Sequence, residues 1–127
     1  MIEGLFNDTN YLAAKKLLDV TALRHEAIAS NLANIETPHY RRIDLAPSFS
    51  AELKQALAAN DPAQIANLQP RLEVDPNAVA ANRDGNTVQL ETELLNLQQN
   101  TLAHSLGTQL ITSSLSRLRM AVTGRSA

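Results

Sequence analysis

Few residues in this sequence stand at spacings that chemistry requires. His25-Glu26 opens like the helical zinc signature H-E-x-x-H, in which two imidazoles one helical turn apart grip a metal and the glutamate acts as base. The fifth position is Ala29, so the second ligand is missing, and His25 falls on an apolar arc where a packed, hydrogen-bonded imidazole is expected. Asn82-x-Asp84-Gly85, with Glu91 further on, matches the later positions of a calcium loop, but its first ligand position is Ala80, which has no side-chain oxygen. A turn ahead of a helix accounts for the same residues. Asn86 with Gln89 three positions on has the spacing of a capping box at the start of that helix. Glu91 and Glu93 are two apart on a helix and therefore do not converge on one substrate. His39 and His104 fall in a turn and in mid-helix, and no Ser/His/Asp arrangement or glycine-rich phosphate loop can be read from the order of residues. The expectation is a protein that is not an enzyme, with no catalytic residue, no cofactor and no metal.

The composition narrows the partners. The chain of 127 residues is one domain at most, and its aromatic residues are two Tyr and two Phe, so leucine, alanine, isoleucine and valine must carry the burial. Lys plus Arg 11 against Asp plus Glu 13 gives a formal charge of −2 without a polybasic run, which argues against nucleic acid and anionic membrane. Cys 0 removes disulfides and thiolate chemistry. The first eight residues, Met1-Ile2-Glu3-Gly4-Leu5-Phe6-Asn7-Asp8, have neither the basic nor the long apolar region of a cleaved leader. No stretch has the roughly 18 consecutive apolar residues of a membrane span.

Two periodic segments must position whatever the protein presents. Over residues 9–35, Leu17, Leu18, Thr21, His25, Ile28, Leu32 and Ile35 share one helical arc. That helix stops where Pro38 drives Thr37 out of the α region. Over residues 88–122, Leu90, Leu94, Leu97, Thr101, His104, Thr108, Ile111, Leu115, Leu118 and Val122 advance by fours and threes. This predicts a helix of about 50 Å suited to a left-handed supercoil. Its apolar residues Leu94, Leu97, Ile111, Leu115, Leu118 and Val122 are the candidate assembly seam, and Leu95, Leu102, Leu106 and Leu110 form a second stripe on a neighbouring face. Two apolar faces imply two sets of neighbours: one for the first helix and one for other molecules. Asn31, Thr101 and Thr108 are candidates for fixing register within these seams. Between the long helices, Phe49, Leu53 and Leu57 predict a short helix over residues 48–59. Four turn signals then predict an irregular, loosely ordered connection over 60–87, with room for one strand from Arg71 to Val74.

The most specific stretch is Ala29-Ser30-Asn31-Leu32-Ala33-Asn34-Ile35-Glu36-Thr37-Pro38-His39-Tyr40-Arg41-Arg42. Physically it is a helix end, a proline stop and an extended exit on which Tyr40 can pin the turn. It also resembles the signature of flagellar rod and hook proteins, close to A-S-N-[IL]-A-N-x-x-T-P-G-Y-[KR]. Asn31, Ala33, Asn34, Thr37, Pro38, Tyr40 and Arg41 match it, and His39 replaces its glycine. If that position needs a positive φ, histidine can occupy it at a cost. Tyr40-Arg41-Arg42-Ile43-Asp44-Leu45, the segment Asp84-Gly85-Asn86-Thr87-Val88-Gln89-Leu90-Glu91-Thr92-Glu93, and Ser116-Arg117-Leu118-Arg119-Met120-Ala121-Val122 resemble the proximal rod type within that family.

The resemblance implies a mainly α fold in which the N- and C-terminal helices pair as a coiled-coil-like hairpin, and subunits that stack with themselves and other rod proteins into a helical tube. It implies a place in the basal-body rod of the periplasmic space, contact with the inner-membrane ring, and export through the flagellar type III apparatus without a cleaved signal peptide or membrane insertion. The family's apolar export-gate motif has an imperfect counterpart in Ile2 and Phe6. A soluble hairpin adaptor or secretion chaperone is the alternative, for which paired amphipathic helices alone would suffice; it would persist as a fully protected monomer, whereas a rod subunit would gain helix on assembly.

Overall fold

The computed structural model describes Gly4 and residues 8–124; Ile2 and Phe6 lie outside the described residues. Helix α1 spans Thr9–Ala33 and opens on Asp8, whose carboxylate accepts from the Asn10 amide at 3.2 Å. Strand β1 covers Ile43–Leu45 and pairs antiparallel with β2, Leu72–Val74, in the register Ile43↔Val74, Asp44↔Glu73, Leu45↔Leu72. Helix α2, Pro47–Ala59, starts on a proline that has no amide to satisfy and ends on Asn60 in the left-handed conformation. Helix α3, Pro62–Asn67, follows at once, with the Asp61 carboxylate capping the Ala63 amide at 3.0 Å. Helix α4 runs from Leu90 to Thr123 and closes on Gly124 at φ 66°.

The stretch expected to be irregular contains the unexpected helix α3, while β2 falls within the short strand expected from Arg71 to Val74. Six residues are too few to show a helical period, and the turn signal Asn60-Asp61-Pro62 is at once the stop of α2 and the start of α3. Tertiary packing holds this short helix. It lies against α1 and α2, Ile65 is buried along with Phe49 and Ala56, and Lys16 Nζ donates to the Leu68 carbonyl beyond its end at 2.6 Å.

The two long helices pair antiparallel, as expected of the hairpin, since Asn31 meets Glu93, Thr21 meets Asn100 and His104, and Leu18 lies against Gly107. The face of α4 that does the pairing is not its leucine seam. Its buried residues are Glu93, Asn100 and Gly107, spaced by sevens, whereas Leu94, Leu115 and Val122 are exposed and Leu97, Ile111 and Leu118 half-buried. Both faces have the same period, so periodicity could not choose between them. The smaller face wins because it permits close approach: a Cβ on Gly107 would stand 2.9 Å from Leu18 Cδ2. His25 is likewise exposed rather than packed, because the turn of α1 around it faces the open flank of the pair.

Candidate assembly site

The helix end at residues 31–42 and the approach to α4 at residues 84–93, far apart in sequence, dock on each other. Asn31, fully buried, replaces a strand partner for β1: its Nδ2 donates to the Ile43 carbonyl at 2.8 Å and its Oδ1 accepts from the Ile43 amide at 2.9 Å. The same amide also reaches Glu93 Oε2 at 3.3 Å, and Tyr40 OH reaches Asn31 Oδ1 at 3.4 Å and Ser30 Oγ at 3.0 Å. Asn31 thereby fixes register inside the subunit, between α1, β1 and α4.

Arg42 is the ionic hub. Its Nε donates to Glu93 Oε1 at 2.7 Å, one terminal nitrogen donates to Asp75 and the other to Asp44 Oδ2 at 3.2 Å. The Arg42 side chain is 8% exposed and that of Glu93 0%. Burial by itself lowers the affinity of the guanidinium for its proton, but the Glu93 bond and the charges of Glu93 and Asp44, with the Asp75 bond, hold it well above its ordinary value. A cation raised in this way stabilises the fold at every pH below its unfolded value, so the arginine itself stays charged across the accessible range. Asp44 also accepts from Arg24 Nε at 3.1 Å, which ties α1 into the same network.

Asn86 closes the junction. Fully buried, it directs Nδ2 at the carbonyls of Asn34, Ile35 and Thr37 at 2.9, 3.0 and 2.8 Å, and its Oδ1 accepts from the Val88 amide at 2.8 Å. The expected capping box is absent: α4 begins after Gln89 without a side-chain cap, and Asn86 instead satisfies carbonyls left at the C-terminal end of α1. Asp84 accepts from the Asn86 amide at 3.1 Å, and Gly85 turns at φ 79°. Backbone bonds from the His39 amide to the Asp84 carbonyl and from the Thr87 amide to the Tyr40 carbonyl, both 3.0 Å, zip the segments together. The Arg42 amide completes the zip on Thr87 Oγ1 at 2.8 Å. His39 does adopt positive φ, 61°, and its ring lies where a Cβ on Gly85 would be, 2.8 Å from Nδ1.

The remainder of α4 offers surface. Leu102 and Val122 are each 67% exposed, and Leu94, Leu95, Leu106, Leu110 and Leu115 are exposed with them. Four hydroxyls in this expanse are already satisfied within the helix: those of Thr101, Thr108, Thr112 and Ser114 donate to carbonyls four residues back at 2.8 to 3.0 Å. Among the described residues no helix is long and apolar enough to cross a membrane.

No family-wide sequence profile matches the chain. Individual relatives do. A flagellar basal body rod protein FlgB from Aquifex aeolicus is 32% identical over 115 residues, covering 88% of this chain and 91% of that protein. FlgB of Borrelia hermsii is 30% identical over 114 residues, 76% of this chain and 83% of that one, and FlgB of Cereibacter sphaeroides is 32% identical over 114 residues, 80% and 84%. This chain belongs to the FlgB family of flagellar basal body rod proteins.

Within this FlgB-family chain the signature residues divide. Asn31, Asn34, Thr37 and Tyr40 build the turn: Asn34 Nδ2 donates to the Ser30 carbonyl at 2.9 Å and Thr37 Oγ1 to Asn34 Oδ1 at 3.1 Å. Ala33, Pro38 and Arg41 are exposed on it. Arg42 and Glu93 lie inside the motif segments, but nothing in their spacing marks them as partners. The available signal was an acid on the face of α4 that periodicity assigns to neither leucine stripe.

Proposed function

We propose that the chain is a structural subunit of the proximal rod, self-assembling with other rod proteins into the axial drive shaft on which motility depends. The observation that carries this is the row of exposed leucines along α4, left over after α4 has used a different face to pair with α1. Contiguous apolar surface of this kind marks an interface. Because the hydroxyls of Thr101, Thr108, Thr112 and Ser114 already bond within the helix, burying them against a neighbour strands none of these donors. A contact made by this face of one subunit on a different face of the next is heterologous and propagates as a helix rather than closing. The rigid turn bearing Ala33, Pro38 and Arg41 supplies a second contact at the far end of the pair. Export through the flagellar type III apparatus and docking near the inner-membrane ring belong to the same reading, supported by family membership.

The test is Leu115→Asp in a strain lacking the native copy. The variant accumulates as folded, helical protein, because Leu115 is already exposed, yet isolated basal bodies lack a rod and the cells do not swim. Normal motility in that strain would overturn the proposal.

A further inference from the structure

Between Asp75 and Thr87 the chain leaves the body of the molecule and returns to the place it left. The Asp75 amide donates to the Arg42 carbonyl and the Thr87 amide to the Tyr40 carbonyl, both at 3.0 Å. The Arg42 guanidinium also holds the Asp75 carboxylate, and Asn86 is clamped on the carbonyls at the end of α1. A loop of this size with closed ends is an Ω-loop, a form that frequently carries function. Its two shoulders are turned by the Asn77 amide on Asp75 Oδ1 at 2.9 Å and the Gly85 amide on the Asn82 carbonyl at 3.1 Å.

What this firmly based loop presents is apolar and uncharged. Residues 76–82 include no Asp, Glu, Lys or Arg, and the tip reads Ala78-Val79-Ala80-Ala81. Val79 is 75% exposed, more than any other large apolar side chain of the described residues. An apolar side chain held in water adds nothing to the fold and gains free energy once another surface covers it.

The surface that fits it is on α4. From Leu94 to Ser116 that helix has no Asp, Glu, Lys or Arg, and Leu102 and Leu106 stand exposed among Gln98, Gln99 and Gln109, which are exposed with them. A charged partner would be desolvated there with no opposite charge to meet it. The uncharged tip has no such cost: its alanines let backbone approach the leucines closely, and the glutamine amides can bond its peptide groups. The tip does not serve the leucines of its own chain. Val79 is four residues from Asp75, at most about 14 Å of chain. Leu106 lies thirteen residues beyond Glu93, about 20 Å along α4, and is exposed.

Resting on the reading of the α4 leucines as an assembly face, we propose that the Ω-loop tip of a second copy of this chain seats on Leu102 and Leu106. Loop and leucines are different surfaces, so the contact is heterologous and leaves each joined pair with one loop and one leucine face still to be covered.

The chain has no cysteine of its own, so a disulfide can report the contact. In basal bodies built from the Val79→Cys/Leu106→Cys double variant, mild oxidation links chains into covalent multimers on a non-reducing gel, and the two single variants give none. Val79→Asp, changed at an exposed side chain, keeps its helical circular dichroism and thermal midpoint, but the rod is lost and the cells do not swim. The absence of covalent multimers, or rods that form normally with Val79→Asp, overturns the proposal. If Leu115→Asp abolishes the rod while Val79→Asp leaves it intact, only this contact falls. If both leave it intact, the reading of the leucine face as an assembly surface falls with it.

Discussion

The two ends of the α1–α4 pair are built on opposite principles. At the Asn31–Glu93 end, buried polar groups outnumber apolar ones and each finds partners: Asn31, Arg42, Asn86, Thr87 and Glu93 are all buried, and no buried side-chain nitrogen or oxygen among the described residues lacks a hydrogen bond. Beyond Gly107 no residue of α4 from 108 to 123 is buried, although leucines recur along it. One end has its buried polar groups satisfied within the chain, whereas the other leaves apolar side chains exposed. Directional bonds specify a unique geometry at a cost in desolvation, and apolar area supplies association free energy without much direction. The proposed rod subunit, holding a precise turn while adding to an assembly, would use both, and the division places them at opposite ends of one helix.

The largest effect should come from the ionic centre of the Asn31–Glu93 end. Glu93→Gln keeps the shape and removes the charge that Arg42 Nε meets at 2.7 Å inside the fold. Losing one partner of a buried pair costs about 3–5 kcal/mol. Urea denaturation followed by helical circular dichroism should show a loss of that size; a loss below about 1 kcal/mol would mean that Asp44 and Asp75 suffice for the arginine. Asn86→Ala comes next. It strips a donor from three carbonyls at the end of α1 and an acceptor from the Val88 amide, and unsatisfied buried groups cost about 1–3 kcal/mol. The same denaturation assay reads the loss, and hydrogen exchange should localise it to the last turn of α1. A loss spread evenly over the whole of α1 would argue against a clamp.

Much of this division was open to a reading of the sequence, and the part that was not has a physical cause. The long helices were legible because proline, turn residues and sustained periodicity mark their ends, and the positive φ at His39 was legible because a glycine was expected there. The choice of face on α4 was not. A repeat of fours and threes displays leucines equally well whether they pack inside the subunit or outside it, and only the closeness allowed at Gly107 and the partners awaiting Glu93 and Asn100 decide. The role of Asn86 was hidden for a related reason. Its spacing to Gln89 suggested a local cap, while its actual partners lie near residue 35, and long-range hydrogen bonds leave no period in the sequence.

Gly107→Ala probes the border between the two ends. Alanine gains about 1 kcal/mol of helix propensity over glycine. Its Cβ would meet Leu18 Cδ2 at 2.9 Å and Leu17 Cδ2 at 3.5 Å, and overpacking of this kind costs about 1–3 kcal/mol. A net loss of about 1 kcal/mol is expected by thermal denaturation. A gain would show that Leu18 swings aside freely and that the approach of the helices there is loose.

The smallest effect belongs to His39→Gly, which restores the glycine that the signature carries. Relief of a side chain held at φ 61° is worth about 1 kcal/mol. Against it stand the greater freedom of glycine in the unfolded chain, about 0.4–1 kcal/mol, and the lost contact of the ring with Gly85. The terms nearly cancel, so stability should change by less than about 0.5 kcal/mol. The coupling is more telling than the single change. Gly85→Ala places a Cβ 2.8 Å from His39 Nδ1 at a residue with φ 79°, so it carries both a backbone penalty and a clash. In the His39→Gly background the clash vanishes and the backbone penalty stays, so Gly85→Ala should cost less there than in the unmodified chain. Equal costs in the two backgrounds would mean that the ring moves away at no expense, and that the junction tolerates histidine because its turn is held by backbone bonds and Asn86 alone.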